Sequence, residues 1–364
     1  MNLSQLANPR ILDQPVYTPG KPIEQVAAQF GFTSQEIVKL ASNENPWGAS
    51  PKALQNAKLA LEKVHLYPDG SGTFLIDKLA SKFSLHPDQI ILGNGSNEII
   101  ELLGHVFINA KDEIIFGEHA FPVYKLVTLL MGGVPVATHM PDFKHDLGII
   151  LDSITPNTKI IFLPSPNNPT GTANSVSEII SFVDQLPDHV ILCLDEAYVE
   201  YLETPPDIRP LIESGKKIIG LRTFSKIHGL AGLRIGYGYG SKYMISLLEK
   251  ARQPFNVNAI AQAAASSAIE DEDWVMLCRR RNEIGLKQLE IGLTRIGLEF
   301  VPSKANFILA NVGSSQKAFE ELQKKGVITR PMSGKLESYL RISVGTELEN
   351  EKALSNLEEI LPEL

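Results

Sequence analysis

Two cysteines in 364 residues are too few for a disulfide-stapled chain. Cys193 falls in an apolar run and Cys278 in a charged helical stretch, so the sequence predicts two free thiols in a reducing compartment. Positive charge is also scarce. The 34 Lys and Arg stand against 42 Asp and Glu, a formal net charge of −8. That balance argues against nucleic-acid partners and anionic membranes, and no basic tract offsets it locally. No apolar run approaches the ~18 residues of a membrane span. No positive, apolar, small-residue leader pattern opens the sequence, so a cytoplasmic location is expected. The eight histidines are scattered without metal-ligand spacing, and no metal is expected. Repeats and low-complexity tracts are lacking as well.

What is present is alternation. Strand-like and helical stretches succeed one another from about Ala53 to Pro254, which predicts a mostly parallel sheet with helices on both faces. A chain of 364 residues is too long for one ordinary core. The expected division is an N-terminal arm and part of a smaller domain over 1–45, a large domain over 46–255, and a smaller α+β domain over 256–364. The site is expected between the domains.

The most informative segment is Thr223-Phe224-Ser225-Lys226, followed by Ile227-His228-Gly229-Leu230-Ala231-Gly232-Leu233-Arg234. Two hydroxyls, a lysine and an arginine lie within twelve residues, separated by glycines. Such a set can hold a phosphate and present an amine beside it, which is what pyridoxal 5′-phosphate (PLP) chemistry needs. A glycine-rich loop with a solvated lysine is the competing reading of the segment alone, so its company elsewhere decides.

Asp195-Glu196-Ala197-Tyr198 follows the run His189–Leu194, which reads as a buried parallel strand. An acidic residue there sits at the carboxyl edge of the sheet, where open α/β folds put ligands, although a helix N-cap would use the same residue. Asn167-Asn168-Pro169-Thr170-Gly171 follows a second such run, Lys159–Leu163, and is by itself a turn signal. Gly93-Asn94-Gly95-Ser96-Asn97-Glu98 reads as strand, glycine turn and helix start. Backbone N–H groups of Gly95, Ser96 and Asn97 would then open an anion site. A dinucleotide fingerprint fails because Glu98 stands where its third glycine belongs. Phe121 follows the strand-like Glu113–Phe116 and suits either a core or a ring-stacking role.

In this order and spacing the motifs resemble the fold-type I PLP aminotransferases, and within them the histidinol-phosphate aminotransferases. The resemblance runs from Tyr17-Thr18-Pro19-Gly20 to Leu340-Arg341-Ile342-Ser343-Val344-Gly345. It departs at His119-Ala120, where the family carries Pro-Thr before the aromatic residue. The resemblance implies that Lys226 binds PLP covalently and shuttles the proton, with Asp195 pairing with the pyridine nitrogen. Asn168 and Tyr198 would contact its phenolic oxygen, and Phe121 would stack on the ring. Gly95, Ser96, Asn97, Thr223, Ser225 and Arg234 would hold the phosphate, joined by Tyr67 from the partner of a homodimer with shared sites. Arg341 and Arg330 would grip the anionic ends of substrate, with Tyr17 in the arm as a further contact. His228 is read as a supporting residue at most. Arg234 is expected to depress the Lys226 pKa.

The implied reaction is transamination of L-histidinol phosphate with 2-oxoglutarate in histidine biosynthesis. An aromatic amino acid aminotransferase is the neighbouring reading, and a PLP-dependent decarboxylase shares the scaffold. A PLP-binding regulator is disfavoured because no basic helix-turn-helix precedes residue 40.

Overall fold

The computed structural model describes residues 2–12, 14–16 and 20–364. Its centre is a seven-stranded sheet built from Ile90–Gly93 (β2), Glu113–Gly117 (β3), Val134–Thr138 (β4), Thr158–Pro164 (β5), Ile191–Asp195 (β6), Ile218–Thr223 (β7) and Gly236–Gly240 (β8), with Val38–Lys39 (β1) lying apart from it. The strand order is β2-β8-β7-β6-β5-β3-β4, and β8 runs against its neighbours.

The apolar runs that predicted buried strands divide by period two between two helical layers. Along β5, Ile161 and Leu163 pack with the helices Thr73–Phe83 and Val176–Gln185. Ile160 and Phe162 point the other way, into the layer of Ser96–Phe107, Val123–Met131 and Lys242–Glu249. A strand covered on both faces needs no polar positions, which is why it reads as a continuous apolar run. The helix Ala259–Ala268 also packs into this large-sheet core, although it lies past the expected boundary at residue 255.

A second sheet has the order β12-β13-β10-β9, from Phe300–Val301 (β9), Phe307–Asn311 (β10), Arg330–Pro331 (β12) and Tyr339–Ser343 (β13). Val327–Ile328 (β11) pairs in parallel with β1, so the N-terminal segment supplies a strand to this smaller unit. Alternation again sorts the faces. Leu340 and Ile342 join the core made with Glu272–Arg295, Ser315–Lys324 and Glu347–Ile360, while Arg341 stands on the face turned to the large sheet. Both thiols are free and buried. Among the described residues no helix is long and apolar enough to cross a membrane, and no side-chain cluster suits a metal.

Candidate active site

The parallel register fixes one wall of the site. Pro164 lies beside Asp195 and Asp195 beside Leu221, so the ends of β5, β6 and β7 open onto the same edge. A cleft of ≈ 810 Å³ lies there, bounded across from that edge by β12, β13 and the turn between them. Asn168, Asp195, Tyr198, Thr223, Ser225, Lys226 and Phe121 line it, with Ser96, Asn97 and Arg234 at one end and Arg330 and Arg341 opposite.

The Lys226 amine donates to the Ser42 carbonyl at 3.3 Å and sits 5.5 Å from the centre of the Tyr198 ring. Burial lowers its pKa to about 8, helped next by the charge of Arg341 and then by Arg234, while Glu44 and Asp195 oppose the shift. The expected cause, Arg234, is therefore the smaller part. Arg234 acts in the expected direction; Arg341, the larger of the two, comes from another sheet, and no local sequence pattern brings it near the lysine.

Asp195 is buried at the end of β6. Its Oδ2 accepts from the Tyr124 hydroxyl at 2.6 Å and its Oδ1 from the Ala197 N–H at 3.0 Å. Burial raises its pKa, and the two donors and Lys226 counter this in part. Tyr124 was not singled out in the sequence. It is held in place by stacking on Phe162, at 4.6 Å and 8°, and by the edge of Phe121 at 5.9 Å. Its only signal was a hydroxyl-bearing ring three residues after Phe121, inside a mostly apolar helix.

The two neighbouring asparagines divide their work. Asn167 fastens the turn, donating to the His119 carbonyl at 3.0 Å and to Thr170 Oγ1 at 2.8 Å. Asn168 faces the cleft, where its Oδ1 accepts from the Arg341 guanidinium at 2.6 Å. Arg341 also donates to the Ala41 carbonyl at 2.5 Å.

The helix Ser96–Phe107 begins at Gly95, whose φ of 76° favours glycine. A Cβ on Gly95 would lie 2.5 Å from Arg234 Nη2, and one on Gly236 would lie 2.6 Å from the Ser96 nitrogen. The glycines thus let the guanidinium and β8 pack closely on the helix start, and Ser96, Asn97 and Arg234 line the cleft there as a cradle for an anion. Glu98 caps from behind, accepting from the Asn94 N–H at 2.5 Å. That explains the residue that spoiled the dinucleotide pattern. Ser225 N donates to Thr223 Oγ1 at 3.1 Å, which sets both hydroxyl residues in the same turn.

On the opposite wall Arg330 and Arg341 are direct cross-strand partners of β12 and β13. Like charges placed opposite one another destabilise a sheet, so this pair is suited to receive an anion. At the rim Glu118 accepts from Lys335 at 2.6 Å, from His139 Nδ1 at 2.5 Å and from the Met140 N–H at 3.1 Å. These contacts hold its pKa down at about 2 against the cost of burial. Glu118 had no mark in the sequence beyond its place at the end of a strand.

One expected residue stands elsewhere. Tyr67 is outside the cleft lining of its own chain, 83% exposed and stacked on Phe255 at 4.8 Å. Tyr17 lies outside the described residues. His228 is buried beside Phe224, away from the cleft lining, with its pKa lowered by burial to about 3.

A family model described as aminotransferase class I and II matches residues 35–357. A histidinol-phosphate aminotransferase of Akkermansia muciniphila is 40% identical over 99% of this chain and all of its own length. One from Methylobacillus flagellatus is 43% identical over 95% of this chain and 94% of its own. Among solved structures, a histidinol-phosphate aminotransferase of Sinorhizobium meliloti in complex with pyridoxal-5′-phosphate superposes with a TM-score of 0.88. It has 25% identity and covers 98% of both chains.

Proposed function

This chain belongs to the class I and II aminotransferases, and on that premise we propose that it transfers the amino group of L-histidinol phosphate to 2-oxoglutarate with PLP as cofactor. The observation that carries the reading is the arginine pair of β12 and β13 facing the cleft that holds the Lys226 amine. The names of the relatives support it.

The residues present fit PLP. The cradle of Ser96, Asn97 and Arg234, with Thr223 and Ser225, suits a phosphate, and a Cβ at Gly95 would press on the Arg234 guanidinium that closes it. Asp195 is a buried carboxyl whose pKa burial raises, and a cationic ring N–H would offset that cost. Lys226 would bind the aldehyde carbon, Phe121 would cover the ring, and Asn168 and Tyr198 would meet its phenolic oxygen. When bound, the cofactor supplies the electron sink for the carbanion left at the substrate α-carbon.

The remaining work falls to the chain's own groups. Arg330 and Arg341 hold the anionic end of the donor, and in turn a carboxylate of the acceptor. Lys226 would take the substrate's α-proton and return it two atoms along, on the far side of the transferred nitrogen. A lysine of ordinary pKa would be protonated at neutrality and unable to act as base. The shift to about 8 brings it within range.

A homodimer with shared sites belongs to the same proposal. Val64, Leu66, Tyr67 and Phe74 are all well exposed on one stretch of the large domain, as a partner-covered surface would be. Tyr67 would reach the partner's phosphate cradle.

The test is a half-reaction. L-histidinol phosphate added to the PLP-loaded protein without acceptor should bleach the visible absorbance of the lysine-bound cofactor, and 2-oxoglutarate should restore it. A spectrum unmoved by the donor would contradict the assignment.

A further inference from the structure

We infer that Asn43 and Ser343 are positioning residues that aim the hydroxyl proton of Tyr198 into the cleft. The inference rests on the cofactor reading above and adds two residues to it.

Asn43 is 1% exposed and sits in the turn after β1 with a φ of 54°, a conformation asparagine tolerates. Its backbone N–H donates to Ser343 Oγ at 2.9 Å. Ser343 Oγ lies 2.9 Å from Asn43 Oδ1, and Asn43 Nδ2 lies 2.9 Å from the Tyr198 hydroxyl. Asn306 Nδ2 holds the Asn43 carbonyl at 3.0 Å, fixing the turn from a third side.

The direction of each hydrogen bond follows from counting protons. Ser343 accepts the Asn43 N–H, and its single hydroxyl proton is left to give. The Asn43 amide oxygen receives it. The reversed amide would aim two N–H groups at one serine oxygen and send a buried O–H in search of another acceptor. With the amide so set, its NH₂ group faces Tyr198, and the tyrosine oxygen accepts. A phenol proton lies in the ring plane on one side of the oxygen or the other. Asn43 occupies one side, so the proton lies on the other, toward the cleft that Tyr198 lines. There it can donate to an oxygen anion.

Ser343 stands two residues after Arg341 on β13. The strand that carries the substrate arginine therefore also sets the proton on the cofactor side. The charges around Tyr198 are Asp195, Arg341 and Lys226. None of these lies in the chain Ser343–Asn43–Tyr198, so the asparagine can be varied without removing them.

The experiment is a double-mutant cycle read by spectroscopy. The pH at which the lysine-bound PLP chromophore titrates is measured in the wild type, Tyr198→Phe, Asn43→Gly and the double variant, together with the PLP dissociation constant of each. Tyr198→Phe should raise that pKa by about one unit or more, because a donor to the phenolate is lost. Asn43→Gly should raise it in the same direction, and the double variant should match Tyr198→Phe alone. An unshifted Asn43→Gly, or a double variant whose shift is the full sum, would overturn the inference. Ser343→Ala, a smaller change, provides the same test where Asn43→Gly folds poorly. It should shift the titration the same way in the Tyr198 background and not in the Phe background. A wild type with no lysine-dependent PLP spectrum would defeat the cofactor reading itself. A normal spectrum with additive variants defeats only the role of Asn43 and Ser343.

Discussion

The two walls of the cleft are built on opposite terms. On the large-sheet wall the polar groups satisfy one another: Asp195 has Tyr124 and Ala197, and Ser225 has Thr223. On the small-sheet wall two arginines face each other across a strand pair. The first wall is a finished network with space left for a cofactor. The second brings two guanidiniums to the cleft, where a substrate anion can meet both. Chemistry is thus preorganised on one side, and recognition is driven by charge from the other.

Lys226→Ala is the largest expected break in that division. It should abolish covalent PLP uptake and lower kcat by about 10⁴ or more, with the far-UV circular dichroism of the fold retained. Near-normal turnover would remove the large-sheet wall from the chemistry. Arg341→Gln comes next, at about a hundredfold in kcat/KM, because a buried guanidinium contacting Asn168 is lost. A change confined to PLP affinity would place Arg341 on the cofactor wall instead.

The walls also communicate through charge, and this can be measured without substrate. The apoenzyme should capture PLP faster as pH rises, levelling off above about 8 as the amine loses its proton. In Arg341→Gln the plateau should move to higher pH, because a cation that disfavours the charged lysine has gone. A profile still climbing toward pH 10 in the wild type would contradict the depressed pKa. The smallest effect is expected at the rim. Lys335→Ala removes an exposed partner of Glu118, which keeps His139 and the Met140 N–H. A loss of at most about fivefold in kcat/KM should follow. A loss near that of Arg341→Gln would move the rim into the substrate wall.

The same division governs what could be read from the sequence. Asn168, Asp195 and Lys226 each follow an apolar run or its turn, and a parallel sheet delivers such positions to one edge. That much of the fold and site is written locally. Asn43, Tyr124, Glu118 and the influence of Arg341 on Lys226 are long-range: their partners lie 155, 71, 217 and 115 residues away in the chain. No periodicity or spacing encodes such meetings. The packing of one sheet against the other brings about three of them, and the seating of the helix Val123–Met131 on the large sheet brings Tyr124 to Asp195.

The most direct test of the whole account compares kcat/KM for L-histidinol phosphate and for phenylalanine, with 2-oxoglutarate as acceptor. Charge-driven recognition predicts a preference of about a hundredfold or more for the phosphate ester, roughly 2.7 kcal/mol of transition-state discrimination. Equal rates would contradict it, for the arginine wall would then be reading no phosphate, and the protein would be an aromatic aminotransferase.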